Sequence, residues 1–304
     1  SGFWWKSANQ IQSTVEEWFA NDSFKEDRDF DQLSVSGYPS RLDVTIVNPQ
    51  ITNKVTRTSI TASVIQLLTL IYSDDLLIVT TKLPVEFSVN NTKFAVTGVP
   101  LKTSIRRNNE ITFAEVITEA SSFILENNKG YSQKIEGFLL AFKPIQSDGR
   151  SKYQVHFSAK LLDRKNPLSS GVPRQTPGAR AATEITFSGL FVPNVNKSKN
   201  FLAKGISAIS NIDISIANPS IDLSMTGDFE LSSEGNLYGS LKLEIKSWEA
   251  LLSRLVENGM IESDKLSAIR AGLIFIASQA EASANSITIP LFLKKNMLYL
   301  GPLK

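Results

Sequence analysis

The chain carries a single histidine and no cysteine, and no local motif in it would by itself assemble a catalytic or metal centre. His156 lies in the run from Tyr153 to Phe157. There Tyr153, Val155 and Phe157 share one face of a strand, and the imidazole points with Gln154 and Ser158 to the more polar side. A solvated side chain is expected there. Nucleophilic catalysis would need a base and a nucleophile brought together, and no GxSxG elbow marks one. One histidine without cysteine cannot supply the usual zinc ligand sets, and disulfides and thiolate nucleophiles are excluded with them. Asp27, Asp29 and Asp31 have the alternate spacing that opens a calcium loop. Gln32 stands where such a loop needs glycine, however, and Tyr38 where it needs a bidentate glutamate. A solvated acidic linker is the expectation. No GxGxxG or GxxxxGKS/T loop is present to cradle a phosphate. Carboxylate pairs need no local spacing, so only folding could assemble an acid/base site. The residues therefore predict a non-enzymatic protein without metal or cofactor.

Lys+Arg 32 against Asp+Glu 30 leave a formal charge of +2, which gives no general drive toward the phosphates of nucleic acid. The cations that do cluster, Arg164, Lys165, Arg174 and Arg180, lie in a Pro/Gly/Ser-rich loop from Asp163 to Arg180 and are candidates for contact with anionic headgroups. Phe3, Trp4, Trp5 and Lys6 open the chain. Aromatic rings beside a cation are enriched where a transmembrane helix meets the headgroups, because an indole has an apolar body and one polar N–H. Ser1 reads as a residue added to the natural chain, and an anchor or uncleaved signal is expected ahead of Gly2.

These residues must be positioned by a β-rich framework. Hydrophobic content of 42% and charged content of 20% over 304 residues suit a globular protein of one large domain or two halves. Ala8, Ile11, Val15, Trp18 and Phe19 recur at helical spacing from Lys6 to Ala20, and a polar stretch follows to Gln32. After Pro39 the period changes to two: Leu42, Val44 and Ile46 alternate with polar residues. Further strand-like runs are 76–81, 85–89, 94–96, 135–142, 153–159 and 184–190. The segment from Phe113 to Glu126 suits a helix by its Ala and Glu, and a strand by its Val, Ile and Phe. Val44–Ile51 (VTIVNPQI) and Ile214–Ile221 (ISIANPSI) form a weak repeat, which suggests the same proline bend or edge position in two related halves. Composition alone could also produce it. Ile221–Leu231 and Leu237–Ile245 predict a hairpin. Two helices should follow, one with the stripe Trp248, Leu251, Leu252, Leu255 and Val256, the next starting at Ser263 with Leu266, Ile269, Leu273, Ile276, Ala277 and Ala280. Both should pack on a sheet, and Trp248, Leu252, Leu255 and Phe275 are candidate lining for an apolar groove. Ser286–Leu293 and Met297–Leu300 predict a closing hairpin about Lys295 and Asn296. The expected class is α+β and β-rich. It has curved antiparallel sheets in two similar halves, an N-terminal helix and a C-terminal helix pair packed on the sheet, and is divided as 1–32, 33–200 and 201–304.

Four landmarks resemble a known family: the aromatic N-terminus with its helix; Gly37-Tyr38-Pro39-Ser40-Arg41-Leu42-Asp43-Val44; the GDFELSSEGNLYGSLKLEI hairpin from Gly227 to Ile245 with its Trp248 helix; and the closing LYLGPL from Leu298. The chain resembles, over essentially its whole length, an uncharacterised family of alphaproteobacterial envelope proteins, domain of unknown function 2125. Ser40 departs from it, since an aromatic residue usually follows that proline. The resemblance implies a periplasmic protein anchored to the inner membrane and supplies no functional residue. By fold-level analogy it is also similar to envelope proteins whose long curved sheets handle lipids. The expected function is the binding of lipid or another apolar ligand in envelope maintenance, and the alternative is an adaptor or scaffold that contacts other envelope proteins.

Overall fold

The computed structural model describes residues 2–20, 26–89, 92–108, 111–147, 150–162, 182–193, 206–218, 221–232, 236–257, 261–278 and 286–300. Two compact units emerge, Ser1–Phe142 with Ala159–Pro177, and Lys143–Ser158 with Gly178–Lys304.

The first unit opens with helix α1 (Gly2–Ala20), followed by strands β1 (Glu26–Asp29), β2 (Gln32–Ser36), β3 (Arg41–Val47), β4 (Gln50–Asn53), β5 (Thr58–Leu70), β6 (Ser73–Val89), β7 (Thr92–Gly98), β8 (Lys102–Asn108), β9 (Ile111–Asn127) and β10 (Ser132–Ser147). Their registers form an up-and-down antiparallel meander. β5 pairs with β3 along one half and β4 along the other, while β6 and β9 each pair with both β7 and β8. The short strands are therefore collinear pieces: β3/β4 and β7/β8 each act as one broken strand beside a long one, and β1/β2 as a broken strand beside β3/β4.

The breaks align. Asp31 N–H donates to Val47 C=O, Asn48 N–H to Ser63 C=O, and the Ser63 hydroxyl to Lys82 C=O, while Val99 N–H donates to Ser122 C=O. Asn48, Gly98 and Gly137 along this row have positive φ, and opposite Ser63 the register between β5 and β6 shifts. An ideal strand turns every second side chain to the same face, and a bulge resets that phase. The reset is visible in burial. The inward phase passes from Leu33 and Val35 back to Phe30, from Leu42, Val44 and Ile46 on to Pro49, and from Ala120 to Phe123. Rings confirm it, since Phe123 and Phe138 pack edge to face at 5.5 Å although their positions are out of simple alternation. One crease thus crosses the meander and keeps apolar residues on one face to either side of it.

Helix α1 lies on that face. Trp4, Ala8, Ile11, Val15 and Phe19, three or four residues apart, meet Leu33, Val35, Leu42, Val44, Ile46 and Leu67. Each large side chain buried this way contributes about 1.5–3 kcal/mol.

The second unit takes in the end of β10 and part of β11 (Arg150–Leu162), then β12 (Ala182–Pro193), β13 (Ile206–Asn218), β14 (Ile221–Leu231), β15 (Leu237–Lys246), α2 (Trp248–Glu257), α3 (Leu266–Ser278), β16 (Ser286–Lys294) and β17 (Met297–Leu300). From β12 to β17 each strand pairs antiparallel with the next. The helix pair packs through Trp248, Leu252, Leu266, Ile269 and Leu273 on Met225, Leu241, Leu243, Ile287, Ile289 and Leu291. Lys295 and Asn296 both take positive φ, the signature of a two-residue hairpin turn, and Asn296 Oδ1 accepts from Leu237 N–H at 2.8 Å. Here too irregular positions line up. Asn211 has positive φ at a register shift, and its N–H donates to Asp228 Oδ1 at 2.7 Å, next to Gly227 at φ +150°.

The β-rich antiparallel class, with one N-terminal helix and a C-terminal pair on a sheet, is the one the periodicity predicts. Three local expectations change. Part of the stretch expected as an acidic linker forms β1, because its Arg28 and Phe30 face α1. The ambiguous run 113–126 is strand: pairing on both flanks, with β7/β8 and β10, outweighs the helical preference of its Ala and Glu. The two Asn-Pro segments are used differently. VTIVNPQI bends within a strand that stays on β5, whereas in ISIANPSI Asn218 and Ile221 pair with each other across a hairpin end.

Candidate functional site

At the start of α1 one tryptophan turns inward and its neighbours outward. Trp4 is 6% exposed, its indole N–H donates to Arg41 C=O at 2.7 Å, and its ring packs edge to face on Trp5 at 5.1 Å and on Tyr38 at 5.7 Å. Phe3 and Trp5, one residue to either side, are 69% and 61% exposed, and Lys6 is exposed. The four residues singled out in the sequence are thus one pin and three outward side chains. Two turns meet the pin. One carries Tyr38 after Gly37. The other carries Ile71, which packs against Trp4, Ala8 and Leu42, and whose N–H donates to Ser40 C=O at 3.1 Å. Tyr72, next to Ile71, is 74% exposed. Neither tyrosine stands near Trp4 in sequence, and nothing in the sequence pattern sets Tyr72 beside it.

The helix pair divides the groove candidates. Trp248 and Leu252 are core, and Leu255 is half-buried. Phe275 lies off the buried stripe of Leu266, Ile269 and Leu273 and is exposed beside Ile274. Glu249 accepts from Arg270 at 2.7 Å and ties the two helices on their outer side.

A second apolar face is one the sequence did not single out. Beyond the strands under α1, the meander continues with Val85, Phe87, Phe94, Val96, Phe123 and Ile135, and Phe87 stacks on Phe94 at 5.0 Å. Val85, Val96, Phe123 and Ile135 are buried and Phe87 and Phe94 half-buried, although among the described residues no helix of this unit lies over them, α1 being its only helix. The signal was present but disguised, since the crease breaks the alternation that would have revealed one apolar face.

The remaining candidates do not converge. Arg164, Lys165, Arg174 and Arg180 lie outside the described residues. Asp27 pairs with Lys54 at 3.7 Å, Asp29 caps Phe30 N–H, and Asp31 accepts from Asn48 at 2.6 Å, so the three carboxylates serve separate partners. No group of three or more His, Cys, Asp or Glu could hold a metal ion among the described residues. His156 is half-buried on β11, between Val155 and Phe157. Burial raises the Tyr153 phenol above its ordinary value. No described helix is long and apolar enough to cross a membrane.

Comparison with curated proteins and with solved structures gives no match. The model of one family, described as an uncharacterized protein conserved in bacteria (DUF2125), matches residues 4–304, and the chain belongs to that family.

Proposed function

We propose that this chain is the periplasmic part of an envelope protein anchored to the inner membrane by a segment ahead of Gly2. It holds lipid or another apolar ligand against its sheet without transforming it. The observation that supports this reading is the apolar face running past α1 through Val85, Phe87, Phe94, Val96, Phe123 and Ile135. A run of apolar side chains along a long sheet, four of them buried and no described helix of the unit upon them, would suit a hydrocarbon chain packed among them, where directional polar chemistry is not required. The strands are long enough. β6 and β9 have 17 residues each, about 55 Å at roughly 3.3 Å per residue, several times the roughly 15 Å that one leaflet of acyl chain occupies.

The test is mass spectrometry of lipid extracted from protein purified with its native anchor. One lipid class at a stoichiometric level is expected, and the double variant Phe87→Ser/Phe94→Ser should lose it. Protein that carries no lipid above the level of an unrelated envelope protein would remove the reading. A second reading is favoured by one observation: Ile274 and Phe275 expose apolar surface side by side on α3, as an adaptor that binds another envelope protein would. Crosslinking that joins α3 to one defined partner, in protein free of lipid, would select it.

A further inference from the structure

Three separate pieces of the first unit bring exposed aromatic rings to one place. The start of α1 supplies Phe3 and Trp5, the turn before β3 supplies Tyr38, and the turn between β5 and β6 supplies Tyr72. Buried Trp4 holds them together: it touches Trp5 and Tyr38, accepts Ile71 against its cluster, and is fixed by its bond to Arg41 C=O. Exposed aromatics scattered singly need no explanation, but four converging on one rigid end do. Their types matter. Indole and phenol rings, apolar in body and polar at one edge, partition into the headgroup layer of a bilayer. Charge is mixed there, since exposed Asp75 follows Tyr72 by three residues, and the aromatic types carry the case for that occupant. Arg41 is already paired with Asp43 at 3.0 Å, whereas Lys6 makes no ion pair among the described residues and is free to meet a lipid phosphate.

We propose that Phe3, Trp5, Tyr38 and Tyr72, with Lys6, form a bilayer-contact surface by which the folded unit itself docks on phospholipid headgroups, independently of any anchor. This rests on the membrane side of the function proposed above and not on its ligand. Tyr38 and Tyr72 each stand more than thirty residues from Trp5 in sequence, so the surface exists only in the folded unit.

The test uses the chain as given, without an added anchor, and vesicles of phosphatidylethanolamine and phosphatidylglycerol in a sedimentation assay. The wild-type chain is expected to pellet with the vesicles. The triple variant Phe3→Ser/Trp5→Ser/Tyr72→Ser should partition roughly tenfold or more weakly, because it removes most of the apolar area that would leave water. Lys6→Ala should cost only roughly twofold, since a single cation near a surface contributes little, and high salt should leave most of the protein bound. Wild type remaining in the supernatant would overturn the proposal, as would a triple variant that pellets unchanged or release of the wild type by salt. Should the triple variant fail to fold, quenching by brominated lipid decides. It should dim wild-type tryptophan fluorescence more than that of Trp5→Phe, and equal quenching would again overturn the proposal. Titration of a fluorescent fatty acid without vesicles reports the ligand alone. The triple variant should retain it, and its absence in wild type would remove the ligand reading while leaving the docking surface standing.

Discussion

Trp4 and Trp5 are adjacent and chemically identical, yet they do opposite things, and the helix turn of about 100° per residue is the whole reason. The sequence pattern raises the same expectation for both. It could not say which one faced inward, because that depends on where Leu42 and Val35 lie, and those belong to strands some thirty or more residues away. Trp4→Phe keeps most of the ring but leaves Arg41 C=O without its donor, so a loss of about 1–2 kcal/mol is expected in denaturant unfolding. Trp4→Ala should cost about 3–5 kcal/mol. Trp5→Ala should leave unfolding nearly unchanged, because its side chain is mostly in water already. Tyr153 gives a pH prediction. Burial raises its folded pKa, so the unfolded chain gives up the phenolic proton first, from about pH 10 upward. Stability should therefore be intact below that pH and fall as pH rises through the folded value. Tyr153→Phe should lessen the slope above pH 10 in a series of unfolding curves.

Among the elements, those whose neighbours are close in sequence were the legible ones. The hairpin β14–β15, the stripe of α2 and the turn at Lys295 and Asn296 all stand within a residue or so of expectation, because each is specified by its own alternation or turn chemistry. Helix α3 begins at Leu266, with only turn structure from Ser263, since Lys265 and Leu266 bond back over three residues first. Strand β5 was missed altogether. Its sequence TSITASVIQLLTL carries apolar residues in both phases, and the crease at Ser63 explains why no single period fits it. Gly227 is the element-level position with least tolerance. At φ +150° a Cβ would stand 2.2 Å from Ser240 C=O, so Gly227→Ala should cost about 3 kcal/mol or more, from backbone strain and overpacking together. In the helix pair, Leu252→Ala should cost about 2–4 kcal/mol, while Arg270→Ala should cost under about 1 kcal/mol. The contrast between the two, measured as unfolding midpoints, separates core from surface in the same layer.

For the molecule as a whole, the two units share a construction, a meander with a row of irregular positions across it and a helical layer on an apolar face. The overall class was legible from composition and period, whereas the apolar face proposed for ligand was not, because it is assembled by β6, β7, β9 and β10 together. Replacing Phe87 with serine should thus test function more than folding: Phe87 is only half-buried, and its loss should cost less than an equivalent change at Val44, which is wholly enclosed. The crease also bears on how such a chain can change length over time. An extra residue in the middle of a regular strand turns every following side chain over and exchanges inside for outside. At Ser121–Ser122, where the phase is already broken and each side is held by its own contacts, one residue more could be absorbed without disturbing either patch. Insertions between relatives should accordingly gather along that diagonal, and strands on both sides of it should keep their lengths.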